Sequence, residues 1–265
     1  MNNVKPKKFL GQHFLTDQTV ASNIADTVDA MPQIPILEVG PGMGVLTQYL
    51  IKKGRRVKAV EIDRESVPYL KSHFPQLADD IIEADFLKMD LNVLFDGQQF
   101  VLTGNYPYNI SSQIFFKMLE YKDVIPCCTG MIQKEVAERL AAQPGTKAYG
   151  VLSVMIQAWY DVEYLFTVDE HVFNPPPKVK SAVVRMMRNE RTGMACDEQL
   201  FRRIVKTVFT MRRKMMRTPM KQILPKESRL LADPLFSKRP EQLSVADFEM
   251  LTNMVSAELK ACRLA

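Results

Sequence analysis

The chain has 265 residues, 46% of them hydrophobic, enough to bury the core of one large domain or of a medium domain with a small companion. Its net charge is only +5. No stretch approaches the ~18 apolar residues that span a bilayer, and no apolar run follows Lys5, Lys7 and Lys8 to make a secretory signal, so a soluble, cytoplasmic chain with no membrane partner is expected.

From residue 34 to about 188 short apolar runs alternate with amphipathic ones, the pattern of a parallel, doubly wound α/β sheet. Strands are expected over 34–39, 56–61, 79–83, 100–104, 124–132, 163–168 and 182–187. Helices are expected over 45–53, 65–74, 111–120, 134–142 and 149–160. Cys127 and Cys128, neighbours on the 124–132 strand, point to opposite faces and read as buried free thiols. Cys196, Cys262 and the three histidines show no ligand spacing, so no metal is expected. Phe173-Asn174-Pro175-Pro176-Pro177-Lys178 is a stiff, polyproline-like connection before the last strand. Residues 189–197 read as a linker, and apolar positions at helical spacing beyond it (Leu200, Ile204, Val208, then Leu243, Phe248, Leu251, Met254) predict a small all-helical domain. Ser244 and Asp247 form a capping-type start to its last helix. The expected organisation is an α/β domain over 1–188 and a small helical domain over 189–265.

Glu38-Val39-Gly40-Pro41-Gly42-Met43-Gly44 sits where the first strand turns into the first helix, and its alternate glycines let the backbone bend sharply against a ligand. A dinucleotide loop would place a third small residue three after the second glycine, and Val45 stands there. That opposes a bound pyrophosphate. Glu61, closing the second strand, can accept from two ribose hydroxyls in either cofactor class, and Asp85 after the third can accept from an adenine amino group.

Asn105-Tyr106-Pro107-Tyr108 ends the fourth strand. The Asn side-chain oxygen and a main-chain carbonyl beside the rigid Pro can both accept from one exocyclic amine, and the Tyr ring offers a platform for a flat base. Phe173 is a second aromatic that could close the other side of the base; a hydrophobic plug beneath the loop is the alternative. Between Arg202 and Arg229 ten Lys/Arg face a single acid, Glu227. This segment carries +9 on a chain of total +5, which points to nucleic acid or an anionic surface. Arg212, Arg213, Lys214 and Arg217 are the expected phosphate contacts, with Lys5, Lys7 and Lys8 as a second, flexible contact. Met211, Met215, Met216 and Met220 are expected on the packed side of one basic helix.

With these residues in hand, the chain resembles the ribosomal RNA small-subunit adenine dimethyltransferase family, known through kasugamycin sensitivity. The motifs carrying the likeness are Lys8 to Leu15, Glu38 to Gly44, Asn105 to Tyr108, Phe173 to Val184 and Phe209 to Lys214. The resemblance implies a Rossmann-like class I methyltransferase sheet over 1–188, whose residues 1–30 cover the cofactor and substrate, with a small C-terminal helical domain over 189–265 that binds RNA or the ribosome, and S-adenosyl-L-methionine as cofactor. Its cofactor contacts would be His13, Leu15, Gly40, Glu61, Asp85 and Asn105, and its catalytic residues Asn105, Pro107 and Tyr108. The implied reaction is dimethylation of N6 on two adjacent adenosines in the 3′-terminal hairpin loop of 16S rRNA, within the 30S subunit or its precursor, by a monomer. His13 stands where many members have Asn, and Tyr106 where many have Leu or Ile. Three alternatives stay open: an adenine methyltransferase of large-subunit RNA or DNA, a non-catalytic ribosome assembly factor, and a nicotinamide-dependent dehydrogenase.

Overall fold

The computed structural model describes residues 7 and 10–264, with side chains through 261. Lys5 and Lys8, and the side chain of Cys262, lie outside the described residues. The chain divides into two compact units, one of residues 1–137 and 160–188, the other of 138–159 and 189–265.

The first unit is built on a seven-stranded sheet. Its strands, numbered along the chain, are β2 (Ile36–Val39), β3 (Val57–Glu61), β4 (Ile81–Glu83), β5 (Val101–Asn105), β6 (Cys127–Gln133), β7 (Tyr160–Val168) and β9 (Ser181–Arg188). A separate short pair joins β1 (Phe14–Leu15) to β8 (Phe173–Asn174), antiparallel. The sheet order is β4-β3-β2-β5-β6-β9-β7. β2 to β6 pair in parallel as the apolar runs imply, whereas β9 lies antiparallel between β6 and β7. The sheet is therefore mixed, not wholly parallel.

Every residue of β2 is buried, as a strand covered on both faces should be. Helix α1 (Gln18–Asp26) starts where the Asp17 carboxylate accepts from the amides of Thr19 and Val20. It buries Ala21, Ile24 and Ala25 in the core formed with Ile36, Leu50, Ala59 and Val101. The helix expected over 45–53 is shorter: the glycine turns run on, α2 spans only Thr47–Leu50, and a 3₁₀ turn follows over Ile51–Lys53. α3 (Ser66–His73) and α4 (Ser111–Glu120) follow β3 and β5. Cys127 and Cys128 are both buried free thiols, raised by burial, Cys127 to about 12.

The second unit contains α6 (Val151–Gln157), α7 (Glu198–Thr210), α8 (Arg217–Met220) and α9 (Val245–Leu264), and α5 (Lys134–Ala141) leads into it. The Asp197 carboxylate caps α7 by accepting from the Leu200 amide, and Ser244 with Asp247 caps α9 reciprocally. The 138–159 segment belongs here because its partners do: α6 packs on α7, and the Asn189 amide donates to the Trp159 carbonyl. The methionine stripe is split. Met216 and Met220 are fully buried, but Met211 and Met215 are 39% and 49% exposed, because α7 ends at Thr210 and a turn intervenes before α8. Arg212, Arg213 and Lys214 thus stand on that turn and not on a helix.

Candidate active site

Parallel strands set their carboxyl ends on one edge of a sheet, and four adjacent strands here deliver one polar feature each. In spatial order these are Asp85 after β4, Glu61 ending β3, the Gly40–Gly44 loop after β2 and Asn105 ending β5. All four line one cavity in the first unit, as do His13, Leu15, Pro107 and Tyr108. Eight of the residues singled out in the sequence therefore meet at one place. Apolar walls come from Met43, Ile62 and Phe86.

The loop turns through positive φ at Gly40, Gly42 and Gly44 (69°, 57° and 79°), a conformation other residues rarely adopt. At Gly44 a Cβ would also fall 2.1 Å from the Phe74 ring. The loop amides are not turned out toward a phosphate. Gly42 N–H donates to Glu61 Oε2 at 3.0 Å, and Asp63 N–H donates to Oε1 at 2.8 Å. Glu61 is 3% exposed; burial raises its carboxyl, against the lowering effect of these amides. With the Gly42 and Asp63 amides engaged by the Glu61 carboxylate, the loop has few donors left for a pyrophosphate, and an acid at this wall suits a nucleoside's ribose hydroxyls. Asp85 accepts from the Leu87 amide at 3.0 Å, which fixes the carboxylate at the cavity wall.

Sequence reasoning missed two acids: Glu38, which lines the cavity, and Asp63, which lies behind it and braces Glu61 through its amide. Glu38 is 1% exposed and accepts from the Thr47 hydroxyl at 2.7 Å. Burial pushes its carboxyl up to about 8, the Thr47 hydroxyl opposing the shift and Glu61 reinforcing it. The folded state then holds a proton that the unfolded chain, near 4.5, releases. That stabilisation is complete below the unfolded value and is lost as the pH rises toward 8. Glu38→Gln keeps an acceptor for Thr47 and removes the titration. Thermal scans are expected to show the wild-type midpoint falling from pH 6 to 9 by roughly 5 °C more than that of the variant; parallel profiles would refute this.

Asp63 is 2% exposed and lies outside the cavity wall. Burial alone would raise it, but hydrogen bonds from Lys7, the Glu65 amide, Gln12 and Ser66 hold it below the usual carboxylate range. Lys7 Nζ lies 2.6 Å from Asp63 and 3.2 Å from Glu65, so this lysine is engaged within the fold and is not the flexible phosphate contact expected of it. An acid two residues after the strand-end Glu61 was the available signal.

At the Asn-x-Pro-Tyr turn the four residues separate by role. Asn105 Nδ2 donates to the His13 carbonyl at 3.2 Å, which leaves Oδ1 as the acceptor side of the amide. Pro107 lines the cavity, and its carbonyl accepts from the Ile110 amide at 3.2 Å. Tyr108 shares a hydrogen bond with the Ser181 hydroxyl, and its ring stacks with His13 at 5.4 Å between centroids. Burial raises the Tyr108 phenol, Ser181 opposing, so it stays neutral. Tyr106 points into the core, 1% exposed. Its hydroxyl donates to the Thr129 carbonyl at 3.0 Å, and its ring meets Phe115 edge-on. The side chain fills space, so any part Tyr106 plays in the site falls to its main chain.

Phe173 does not join the site. It is 4% exposed, belongs to the hydrophobic core, and pairs with Leu15 through the β1–β8 register. The hydrophobic-plug alternative describes it, because that pairing turns the ring inward. In the second unit, Arg212 donates to the Thr146 and Lys147 carbonyls at 3.2 and 2.6 Å, and Arg217 to the Ser237 hydroxyl at 2.7 Å. Arg213 and Lys214 are exposed.

Residues 3–255 match the family described as Ribosomal RNA adenine dimethylase. A protein of Phocaeicola vulgatus named Ribosomal RNA small subunit methyltransferase A is 70% identical over 260 residues, covering 98% of this chain and 93% of the relative. Among solved structures, a dimethyladenosine transferase from Plasmodium falciparum aligns over 93% of this chain and 98% of its own, with a TM-score of 0.77 at 22% identity. The 23S rRNA methyltransferase ErmE aligns over 91% and 99%, with a TM-score of 0.66 at 27% identity.

Proposed function

The chain belongs to the ribosomal RNA adenine dimethylase family, and from that premise we propose that it dimethylates N6 of two adjacent adenosines in the 3′-terminal hairpin loop of 16S rRNA, in the small ribosomal subunit or its precursor, using S-adenosyl-L-methionine. The observation that carries this reading is the Asn105 amide, held by His13 so that Oδ1 is the free acceptor, in the cavity that Glu61 and Asp85 also line. The 70% identity to a protein named for the small subunit supports that substrate over the large-subunit one named for ErmE.

When bound, the cofactor supplies an electrophilic methyl group on a sulfonium. Glu61 would hold the ribose hydroxyls, Asp85 the adenine amino group, and Gly40 the close backbone approach. N6 of adenosine is a weak nucleophile because its lone pair is delocalised into the ring. By accepting one N–H, Asn105 Oδ1 favours a pyramidal nitrogen with its lone pair free. The second acceptor is a main-chain carbonyl of the turn, at Tyr106 or Pro107; that of Pro107 already accepts from Ile110, which favours Tyr106, whose position Pro107 fixes. Asn105 Oδ1 with the main-chain acceptor would hold the amine while N6 takes up the methyl and the alkylated nitrogen gives its proton to solvent. No side-chain base is required before attack. Holding both reactants in line accounts for up to ~7–11 kcal/mol of the barrier. Stacking on Tyr108 returns about 1–3 kcal/mol of the energy lost when the base leaves its own stack.

Arg213 and Lys214 are the exposed cations proposed to contact phosphates, while Arg212 chiefly holds its own fold. Transfer of a tritiated methyl to undermethylated small subunits, followed across a salt series, tests both statements. The wild type is expected to label the RNA, and charge reversal at Arg213 and Lys214 to raise KM for the particle and flatten its salt dependence, each lost contact removing about one unit of slope. Absence of transfer would overturn the function, and unchanged salt dependence the phosphate role.

A further inference from the structure

One residue touches both Asn105 and Tyr108 on the acceptor side of this site. The His13 main-chain carbonyl receives Asn105 Nδ2 at 3.2 Å. Its ring packs against Tyr108 with 29° between the planes. Its Nδ1 lies 2.8 Å from the Pro175 carbonyl oxygen. A carbonyl can only accept, so Nδ1 carries the hydrogen, and the tautomer is set by the bond.

The three contacts form a chain of restraint. Pro175 follows β8 directly, and β8 is tied to β1, the strand that begins one residue after His13. The Thr16 amide and hydroxyl both donate to the Val172 carbonyl, at 2.8 and 2.9 Å, and extend this anchorage. The Pro175 bond then fixes the imidazole, the imidazole backs one face of Tyr108, and the His13 backbone is held where its carbonyl meets the Asn105 amide. Without that carbonyl nothing would choose between the two orientations of the amide, one of which presents NH₂ to the amine and repels it.

We propose that His13 is a positioning residue for the acceptor base, acting through its Nδ1–H to the Pro175 carbonyl, and that this bond sets which way the Asn105 amide faces and how rigidly Tyr108 presents its ring. This gives the side chain a role other than the cofactor contact expected from the resemblance, and it rests on Asn105 Oδ1 being the acceptor for the amine. Because Nδ1 is a δ-position donor, an Asn at position 13 places its own NH₂ in nearly the same location, whereas Gln carries its amide one atom too far.

The test compares His13→Ala, His13→Gln, His13→Asn and Asn105→Ala with the wild type on undermethylated small subunits. It measures kcat, cofactor affinity by calorimetry, and the ratio of N6-methyl to N6,N6-dimethyl product. His13→Ala and His13→Gln are expected to lose about ten- to a hundredfold in kcat, the scale of an ångström-level misplacement. Their cofactor affinity should stay within about twofold, and the monomethyl share should rise, since the second transfer must hold a bulkier amine with a single N–H. His13→Asn should recover most of kcat. A loss confined to cofactor affinity, or equal losses in Asn and Gln variants, overturns the proposal. Full activity in Asn105→Ala would instead remove the reading on which it rests, while an inactive Asn105→Ala beside fully active His13 variants removes this inference alone.

Discussion

Asn105→Ala is expected to lower the single-turnover rate of both methyl transfers by about 10²–10³, the scale seen when one preorganised hydrogen-bonding group is taken from a reacting centre. The side chain has two jobs that alanine cannot do. Its Oδ1 accepts from the reacting amine, and its Nδ2 satisfies the His13 carbonyl at 3.2 Å. The first loss removes the pull toward a pyramidal nitrogen. The second frees the main chain of His13, whose ring stacks with Tyr108. After one transfer the amine keeps a single N–H, so the second step depends on Oδ1 or on the main-chain acceptor, not on both. Rapid-quench measurement of mono- and dimethylated product gives the two rates separately, and wild-type values for both would remove Asn105 from the mechanism.

The second large effect lies in the sheet beneath the turn. Gly104 and Gly130 are register partners on β5 and β6, and the Tyr106 ring lies over them. A Cβ at Gly130 would fall 2.3 Å from the Gly104 carbonyl oxygen and 2.7 Å from Tyr106 Cε2, at a φ of 148°. Backbone cannot yield as a side chain can, so Gly130→Ala is expected to cost about 3 kcal/mol or more, with a fall in thermal midpoint of roughly 10 °C. Because Gly104 precedes Asn105, the strain reaches the catalytic amide, and activity should fall even where the variant is folded. Adding Tyr106→Leu relieves the ring contact but not the carbonyl contact, so the double variant should recover only part of the loss. Recovery to wild-type stability would show that the ring, and not the backbone, was the obstacle.

The parts of this molecule legible from sequence are those with local causes. Apolar runs of strand length mark β2 to β6, and the glycines, acids and Asn-Pro-Tyr turn mark the strand ends that become the site. Strand direction has no local signature, so the antiparallel course of β9 between β6 and β7 was not visible. Spacing alone placed Met211 to Met220 on one helix. The break comes from elsewhere in the chain: Arg212 is drawn to the carbonyls of Thr146 and Lys147, some 65 residues away in sequence. Phe173 misled for a similar reason, since an aromatic before a proline run reads as a base platform until its pairing with Leu15 is known. Asp63 and Glu38 escaped notice because carboxylates at strand ends are usually solvated, and only their burial, at 2% and 1% exposure, sets them apart.

The most direct test is nucleoside mass analysis of 16S rRNA from undermethylated small subunits after incubation with the protein and S-adenosylmethionine bearing a deuterated methyl. The account predicts label recovered as N6,N6-dimethyladenosine at two adjacent positions of the 3′-terminal hairpin, and its loss with Asn105→Ala. Label on another nucleoside or another RNA, or N6,N6-dimethyladenosine formed equally by the Asn105 variant, would contradict it.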